Sequence, residues 1–141
     1  MLEFLRSKAA VSRFVTSVCT GSLVLGAAGL LRGYRATCHW MSLPQLELMG
    51  AIPVQGRVVF DGNRVTGAGV TSGIDFALAL MAQIHGDDRA KAVQLGMEYD
   101  PRPPFREGSP AAADQSLIDQ LRRQSSSFKV RRGIKAGWGC A

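Results

Sequence analysis

Cysteine is scarce in this chain of 141 residues: there are three, Cys19, Cys38 and Cys140, an odd number without a close-spaced pair. That excludes a disulfide framework and makes a reducing, cytoplasmic location the expectation. Acidic residues are missing from one end. All 11 lie at or before Asp119, while Arg122, Arg123, Lys129, Arg131, Arg132 and Lys135 follow it. The net charge of +6 and the pI of about 9.8 therefore belong to a tail on a neutral body. With only Phe128 and Trp138 as aromatics, the tail reads as a solvated segment attracted non-specifically to polyanions, and no specific nucleic acid partner is expected. Metal-site spacings are absent too: no C-x-x-C, H-x-x-x-H or H-E-x-x-H occurs, so no metal is expected.

Long apolar runs are few. Residues 14 to 31 are uncharged between Arg13 and Arg32, but the run holds Thr16, Ser17, Thr20, Ser22 and glycines at 21, 26 and 29. It also changes period halfway, from a β-branched stretch to a Gly/Ala/Leu helical one, which a membrane span has no reason to do. A lipoprotein signal would need a small residue before the cysteine, where Val18 stands. No membrane partner is expected. What is present, 46% hydrophobic and 20% charged residues with a mean hydropathy of +0.05, is the composition of a globular chain with one core.

The periodicities alternate between strand and helix. The first 13 residues read as the end of a helix, residues 14 to 18 as a buried strand, 21 to 31 as a helix stopped by Gly33, and 35 to 39 as a second strand. A short helix over 43 to 49 closes at Gly50. Two short strands, 57 to 60 and 64 to 68, flank Asp61-Gly62-Asn63, which is hairpin chemistry. Residues 71 to 85 form a helix with Thr71 or Ser72 as N-cap, Ile74, Ala77, Leu78 and Met81 on one face, and Gly86 at its end. A further helix covers 88 to 98. The proline run from Asp100 to Pro110 cannot be regular structure, because proline lacks a backbone donor; residues 111 to 123 can form a last helix, and 124 to 141 read as a low-order tail. This order is the grammar of a layered α/β sheet with about four strands.

Chemistry concentrates at Val18-Cys19-Thr20-Gly21-Ser22, between an apolar strand and a glycine-bearing helix start. Such a turn pushes its side chain out of the sheet, and the first helix amides favour a thiolate there; a buried core thiol is the competing reading of Cys19. His39 ends the next strand and can approach Cys19 as base or orienting partner, or bond a backbone carbonyl as a structural histidine. Cys38 points to the opposite face of that strand. His85, at a helix end, reads as structural. Gly67-Ala68-Gly69-Val70-Thr71-Ser72-Gly73 is like a dinucleotide fingerprint but has Ser72 where the third glycine belongs, so it reads as a tight strand-to-helix turn. Asp75 and Glu98 read as solvent-facing acids.

In order along the chain, Val18-Cys-Thr-Gly-Ser-Leu-Val-Leu-Gly-Ala-Ala-Gly-Leu-Leu31, Arg35-Ala-Thr-Cys-His-Trp40, Asp61-Gly-Asn63, Gly67-Ala-Gly-Val-Thr-Ser-Gly-Ile-Asp-Phe76 and Met97-Glu-Tyr-Asp-Pro-Arg-Pro-Pro-Phe105 resemble the PfpI/ThiJ superfamily of glutamine-amidotransferase-like proteins, and within it the members that hydrate isonitriles. The resemblance covers roughly residues 5 to 115. It implies a flavodoxin-like, amidotransferase-like sheet with flanking helices, here without its N-terminal strands, so that residues 1 to 119 form a partial domain and 120 to 141 a basic, disordered tail. It implies Cys19 as the reactive cysteine, Thr20 as the neighbour that helps activate it, and His39 close to the thiol. The implied reaction is hydration of a small organic isonitrile to an N-substituted formamide with no cofactor, in a homodimer if the full fold is present. The family's acidic partner of the cysteine comes from strands with no counterpart here, which predicts impaired turnover. Two alternatives stay open: the ligand-sensing domain of an AraC-type regulator, for which residues 111 to 141 are too short and too Ser/Gly-rich to supply the helix-turn-helix pair, and an inactive fragment that serves as an interaction module.

Overall fold

The computed structural model describes residues 1 to 131, with side chains to residue 125. The chain forms two compact units, Met1–Pro101 and a second beginning at Arg102. In the first, helix α1 (Leu2–Ala9) carries Glu3 in its first turn and Arg6 and Lys8 in its last, each sign matched to the helix dipole. Strand β1 (Val15–Val18), helix α2 (Gly21–Ala27), strand β2 (Arg35–Ala36), helix α3 (Leu43–Leu48) and strand β3 (Ile52–Pro53) follow. Then come β4 (Val58–Asp61), β5 (Arg64–Gly67), α4 (Ser72–His85) and α5 (Asp87–Gly96). The hairpin read from Asp61-Gly62-Asn63 is β4 against β5, antiparallel, with Asp61 opposite Arg64. β1 adds to the other side of β5 in parallel, Val15 opposite Arg64 and Val18 opposite Gly67, and β2 pairs with β3 in a separate parallel ladder.

The pleat of β1 sorts the layers. Val15 joins a buried cluster with Leu25, Leu31, Ala36, Cys38, Leu46 and Ala51, and Ser17 bonds Ser22 of α2, so these two side chains face α2. Val18 faces the opposite way: its Cγ1 lies 3.8 Å from where a Cβ on Gly73 of α4 would stand. Helices therefore flank the sheet on both faces, as the layered α/β reading expects. The α2 face holds the core. On the other face α4 buries only Ser72, and the Ile74, Ala77, Leu78 and Met81 positions identified from periodicity lie exposed or half-exposed.

Two expected elements are shorter than periodicity suggests. The helix from 21 stops at Ala27 because Gly29 takes φ +74°; the Leu30 amide then bonds the Leu25 carbonyl at 3.0 Å and the Gly29 amide bonds Gly26 at 2.8 Å, the Schellman arrangement. The strand expected over 35 to 39 ends at Ala36, because the Thr37 amide leaves the ladder for Thr66 Oγ1 (2.9 Å) and its carbonyl accepts from Ser22 Oγ (2.7 Å). The short β3 had too few residues to register as a pattern. In the second unit the proline run is irregular and α6 spans Gln115–Arg131, so the expected boundary at residue 119 falls inside a helix and residues 124 to 131 are helical rather than low-order. Once residues 115 to 123 have nucleated it, passing through serines costs only about 0.5 kcal/mol per residue. The rest of the expected tail, 132 to 141, lies outside the described residues.

The Schellman closure recurs at α3 and α5. Gly50 (φ +80°) closes α3, and at α5 the same position is filled by Glu98 at φ +51°, with the Tyr99 amide on Gln94 (3.1 Å). A left-handed conformation is strained for a residue with a Cβ. Glu98→Gly should therefore raise unfolding stability by about 0.5 to 1 kcal/mol, and Gly50→Ala should lower it by about 1 kcal/mol, measured as opposite shifts of the urea midpoint.

Candidate active site

β1 delivers Val18 to the end of the sheet and Cys19 turns the chain into α2 with φ +59°. This strained conformation is held from outside: the Cys19 amide is shared between the carbonyls of Gly67 (3.0 Å) and Ala68 (2.7 Å) at the end of β5. The first α2 turn begins at once, with the Leu23 amide on the Thr20 carbonyl at 3.0 Å. Cys19 is half-buried, and Thr20 is exposed with its hydroxyl unspent on capping.

A buried polar chain lies beneath this turn. Ser22 Oγ donates to the Thr37 carbonyl at 2.7 Å, so the hydrogen between Ser22 Oγ and Ser17 Oγ, 2.8 Å apart, comes from Ser17. Thr37 in turn donates its amide to Thr66 Oγ1. Ser22, Thr37 and Thr66 are each at most 2% exposed, and the chain of bonds ties β1, α2, β5 and the segment carrying Cys38 and His39 into one frame. Sequence reading missed Ser22, Thr37 and Thr66; three small hydroxyl residues inside otherwise apolar stretches were the available signal.

Cys38 and His39 lie beyond the end of β2, so strand alternation does not set their directions. Cys38 is 2% exposed and sits in the core cluster, its Sγ donating to the His39 carbonyl at 3.3 Å. Burial, with a smaller contribution from the charge of Cys19, pushes its thiol up from 9.0 to about 12. His39 is half-buried, and its Nδ1 accepts from the Met41 amide (3.3 Å), capping a 3-10 turn over Trp40–Ser42. A neutral imidazole accepting at Nδ1 carries its proton on Nε2. The His39 Cδ2 lies 3.5 Å from where a Cβ on Gly69 would stand. Cys19 and His39 thus flank consecutive residues of the β5–α4 turn, Cys19 bonded to Ala68 and His39 packed on Gly69. Among the described residues no hydrogen bond joins the two, and no carboxylate bonds either of them. The glycines of that turn serve packing: a Cβ on Gly67 would stand 3.3 Å from Val18 Cγ2 and 3.4 Å from Phe76.

Away from the turn, Asp75 is not an idle surface acid. It pairs with Arg57, whose Nε lies 2.7 Å from Oδ2, and accepts from the Tyr99 hydroxyl at 3.1 Å. Glu98 is exposed as expected, and His85 lies exposed at the end of α4. Among the described residues no group of three His, Cys, Asp or Glu side chains converges, and no helix is long and apolar enough to cross a membrane.

The model of the DJ-1/PfpI family matches residues 1 to 83. The chain belongs to the DJ-1/PfpI family. It is 56% identical over 134 residues to an isonitrile hydratase of Pseudomonas putida, covering 94% of this chain and 59% of the relative. The transcriptional regulator CdhR of Pseudomonas aeruginosa is 42% identical over 57% of this chain and 24% of its own length. Among solved structures, a THiJ/PfpI family protein from Pseudomonas syringae superposes with a TM-score of 0.86 at 46% identity, over 90% of this chain and 52% of that one. The chain therefore spans a little over half the length of the relatives it matches best here, and within that span shares their DJ-1-like fold.

The burial of Cys38 can be read by titration. Above about pH 9.0 an unfolded Cys38 loses its proton while the folded one keeps it up to about 12. The unfolded state then binds fewer protons, so stability falls with rising pH across that window, by up to about 1.4 kcal/mol per unit. Cys38→Ala should flatten this fall between pH 9 and 11 relative to the parent chain, measured by urea midpoints. Equal slopes would place Cys38 outside the core.

Proposed function

We propose that this chain carries the reactive centre of a cysteine-dependent isonitrile hydratase, converting a small organic isonitrile to an N-substituted formamide in a reducing cytoplasm as part of a homodimer. The observation that carries the reading is Cys19 itself: a half-buried thiol on a left-handed strand-to-helix turn, in a chain 56% identical to an isonitrile hydratase. The chemistry balances without redox change. The Cys19 thiolate adds to the terminal carbon, that carbon takes a proton, and a thioimidate results. Water adds across its C=N bond, one hydrogen going to nitrogen; the C–S bond then breaks, the sulfur leaves as thiolate, and the hydroxyl proton is released, replacing the one taken up by the carbon and giving the formamide. Thr20, exposed beside the thiol, polarises the adduct, the Nε2–H of His39 donates a hydrogen bond to it from the other side, and the proton taken by the carbon comes from solvent.

Turnover by this chain alone is slow in this account. A positioned acid or base contributes roughly 10²- to 10⁴-fold to such proton transfers, and no carboxylate among the described residues bonds Cys19 or His39. The regulator relative supports a second reading, a sensing domain that binds its ligand unchanged; the longer and closer match to the hydratase favours chemistry.

Formamide production from an aliphatic isonitrile, followed by NMR, separates the two. The expected result is slow turnover, abolished by Cys19→Ala, lowered at least tenfold by His39→Gln, and changed less than about threefold by Cys38→Ala. Isonitrile bound but recovered unchanged, or full activity in Cys19→Ala, would overturn the assignment.

A further inference from the structure

Asp75 stands in the first turn of α4, where the helix dipole favours an acid, and its carboxylate is divided between two other parts of the chain. Oδ2 takes the Arg57 Nε at 2.7 Å together with Nη2 of the same guanidinium, and Oδ1 accepts from the Tyr99 hydroxyl at 3.1 Å. Tyr99 follows Glu98, the left-handed residue that closes α5. The Arg57 side chain is 55% exposed and that of Asp75 32%. An ion pair so open to water contributes little to global stability, but it fixes the backbone of Arg57.

That backbone leads to Cys19. Arg57 lies in a bend after Gly56, just beyond the last pair of the β4–β5 ladder, Val58 opposite Gly67. Backbone at the end of a ladder opens readily unless something outside the ladder holds it. The Arg57 carbonyl accepts from the Ala68 amide at 2.9 Å. The other side of that same Gly67–Ala68 peptide, the Gly67 carbonyl, accepts from the Cys19 amide at 3.0 Å, and the Ala68 carbonyl shares this amide at 2.7 Å. A single peptide unit thus separates the Arg57 carbonyl from the strained turn, and hydrogen bonds in such a line polarise one another. Cys19 and Glu98 are the two non-glycine residues with positive φ among the described residues. They stand at opposite ends of one connected line that runs from Cys19 through the Gly67–Ala68 peptide, Arg57 and Asp75 to Tyr99.

We propose that Asp75 is a positioning residue for the Cys19 elbow. Held by Tyr99, it grips the Arg57 side chain and so places the Arg57 carbonyl, which orients the peptide that keeps Cys19 at φ +59°. A left-handed residue persists only where its surroundings over-determine it, and this line supplies that constraint from the side of the turn opposite α2. Asp75 touches no reacting atom. Its effect on turnover rests on the hydratase reading, whereas its effect on the elbow does not.

The test uses the full 141-residue chain and Asp75→Ala, Arg57→Ala and Tyr99→Phe, the last of which removes one oxygen only. Amide hydrogen exchange by NMR should quicken at least tenfold at Cys19 and Ala68 in the first two variants and about threefold in the third. The urea midpoint should stay unchanged, as should exchange at Val15 and Thr37, whose amides bond Asn63 and Thr66 elsewhere. In formamide production Asp75→Ala should lower kcat at least tenfold with KM unchanged, the pattern of a group that acts on the reacting geometry rather than on substrate binding. Unchanged exchange at Cys19 and Ala68, or a rise shared by Val15 and Thr37 with a falling urea midpoint, would overturn the proposal. Quickened exchange confined to Cys19 and Ala68 in a chain whose parent form turns over no isonitrile sustains it and counts against the hydratase reading.

Discussion

One shared hydrogen bond organises the site. The Cys19 amide, bound by the last carbonyl of β5 and the one after it, keeps a residue with a Cβ in a left-handed conformation that costs about 1 to 2 kcal/mol on its own. Because that amide is spent on Gly67 and Ala68, β1 cannot slide against β5 and the sulfur projects from the end of the sheet. The strain is offset beneath the turn by a polar line in which Ser17 Oγ bonds Ser22 Oγ, Ser22 Oγ bonds the Thr37 carbonyl and the Thr37 amide bonds Thr66 Oγ1. Each of these has a partner, so the line fixes geometry without leaving a buried polar group unpaired. Through it the segment after β2 is anchored to the same two strands, and His39 arrives on the turn next to the residue that holds Cys19.

The two cysteines of the described chain show how environment assigns different tasks to one functional group. Cys38 lies among Val15, Leu25 and Leu46 and keeps its proton far into the alkaline range, so it behaves as a small apolar side chain. Cys19 stands at the rim, half-exposed, beside a threonine whose hydroxyl does no capping. The sheet itself is unequal in the same sense: the α2 face encloses a core, and the α4 face presents a helix of core composition to the surface.

Much of this was legible in the amino-acid order. Glycines at 50 and 86 and the Asp61-Gly62-Asn63 turn marked where elements end because local backbone geometry decides those points. The elbow was legible for the same reason, since a β-branched strand running into a glycine-bearing helix start leaves one residue to turn the corner. What periodicity could not reveal was set by partners distant in sequence. Strand β2 stops where Thr66, 29 positions on, takes the Thr37 amide. Asp75 is paired because β4 and α5 bring Arg57 and Tyr99 to it. The α4 helix was legible from its apolar spacing, but nothing local indicates whether such a face is covered.

A covalent bond between Cys19 Sγ and the isonitrile carbon is the step on which catalysis depends. In a 13C NMR experiment with an isonitrile labelled at its terminal carbon, the expected result is a protein-bound carbon bearing one hydrogen, correlated with the Cys19 β-protons and replaced over time by the labelled formamide. Label that appears only as free isonitrile, or that becomes attached to another side chain while formamide forms, would contradict it.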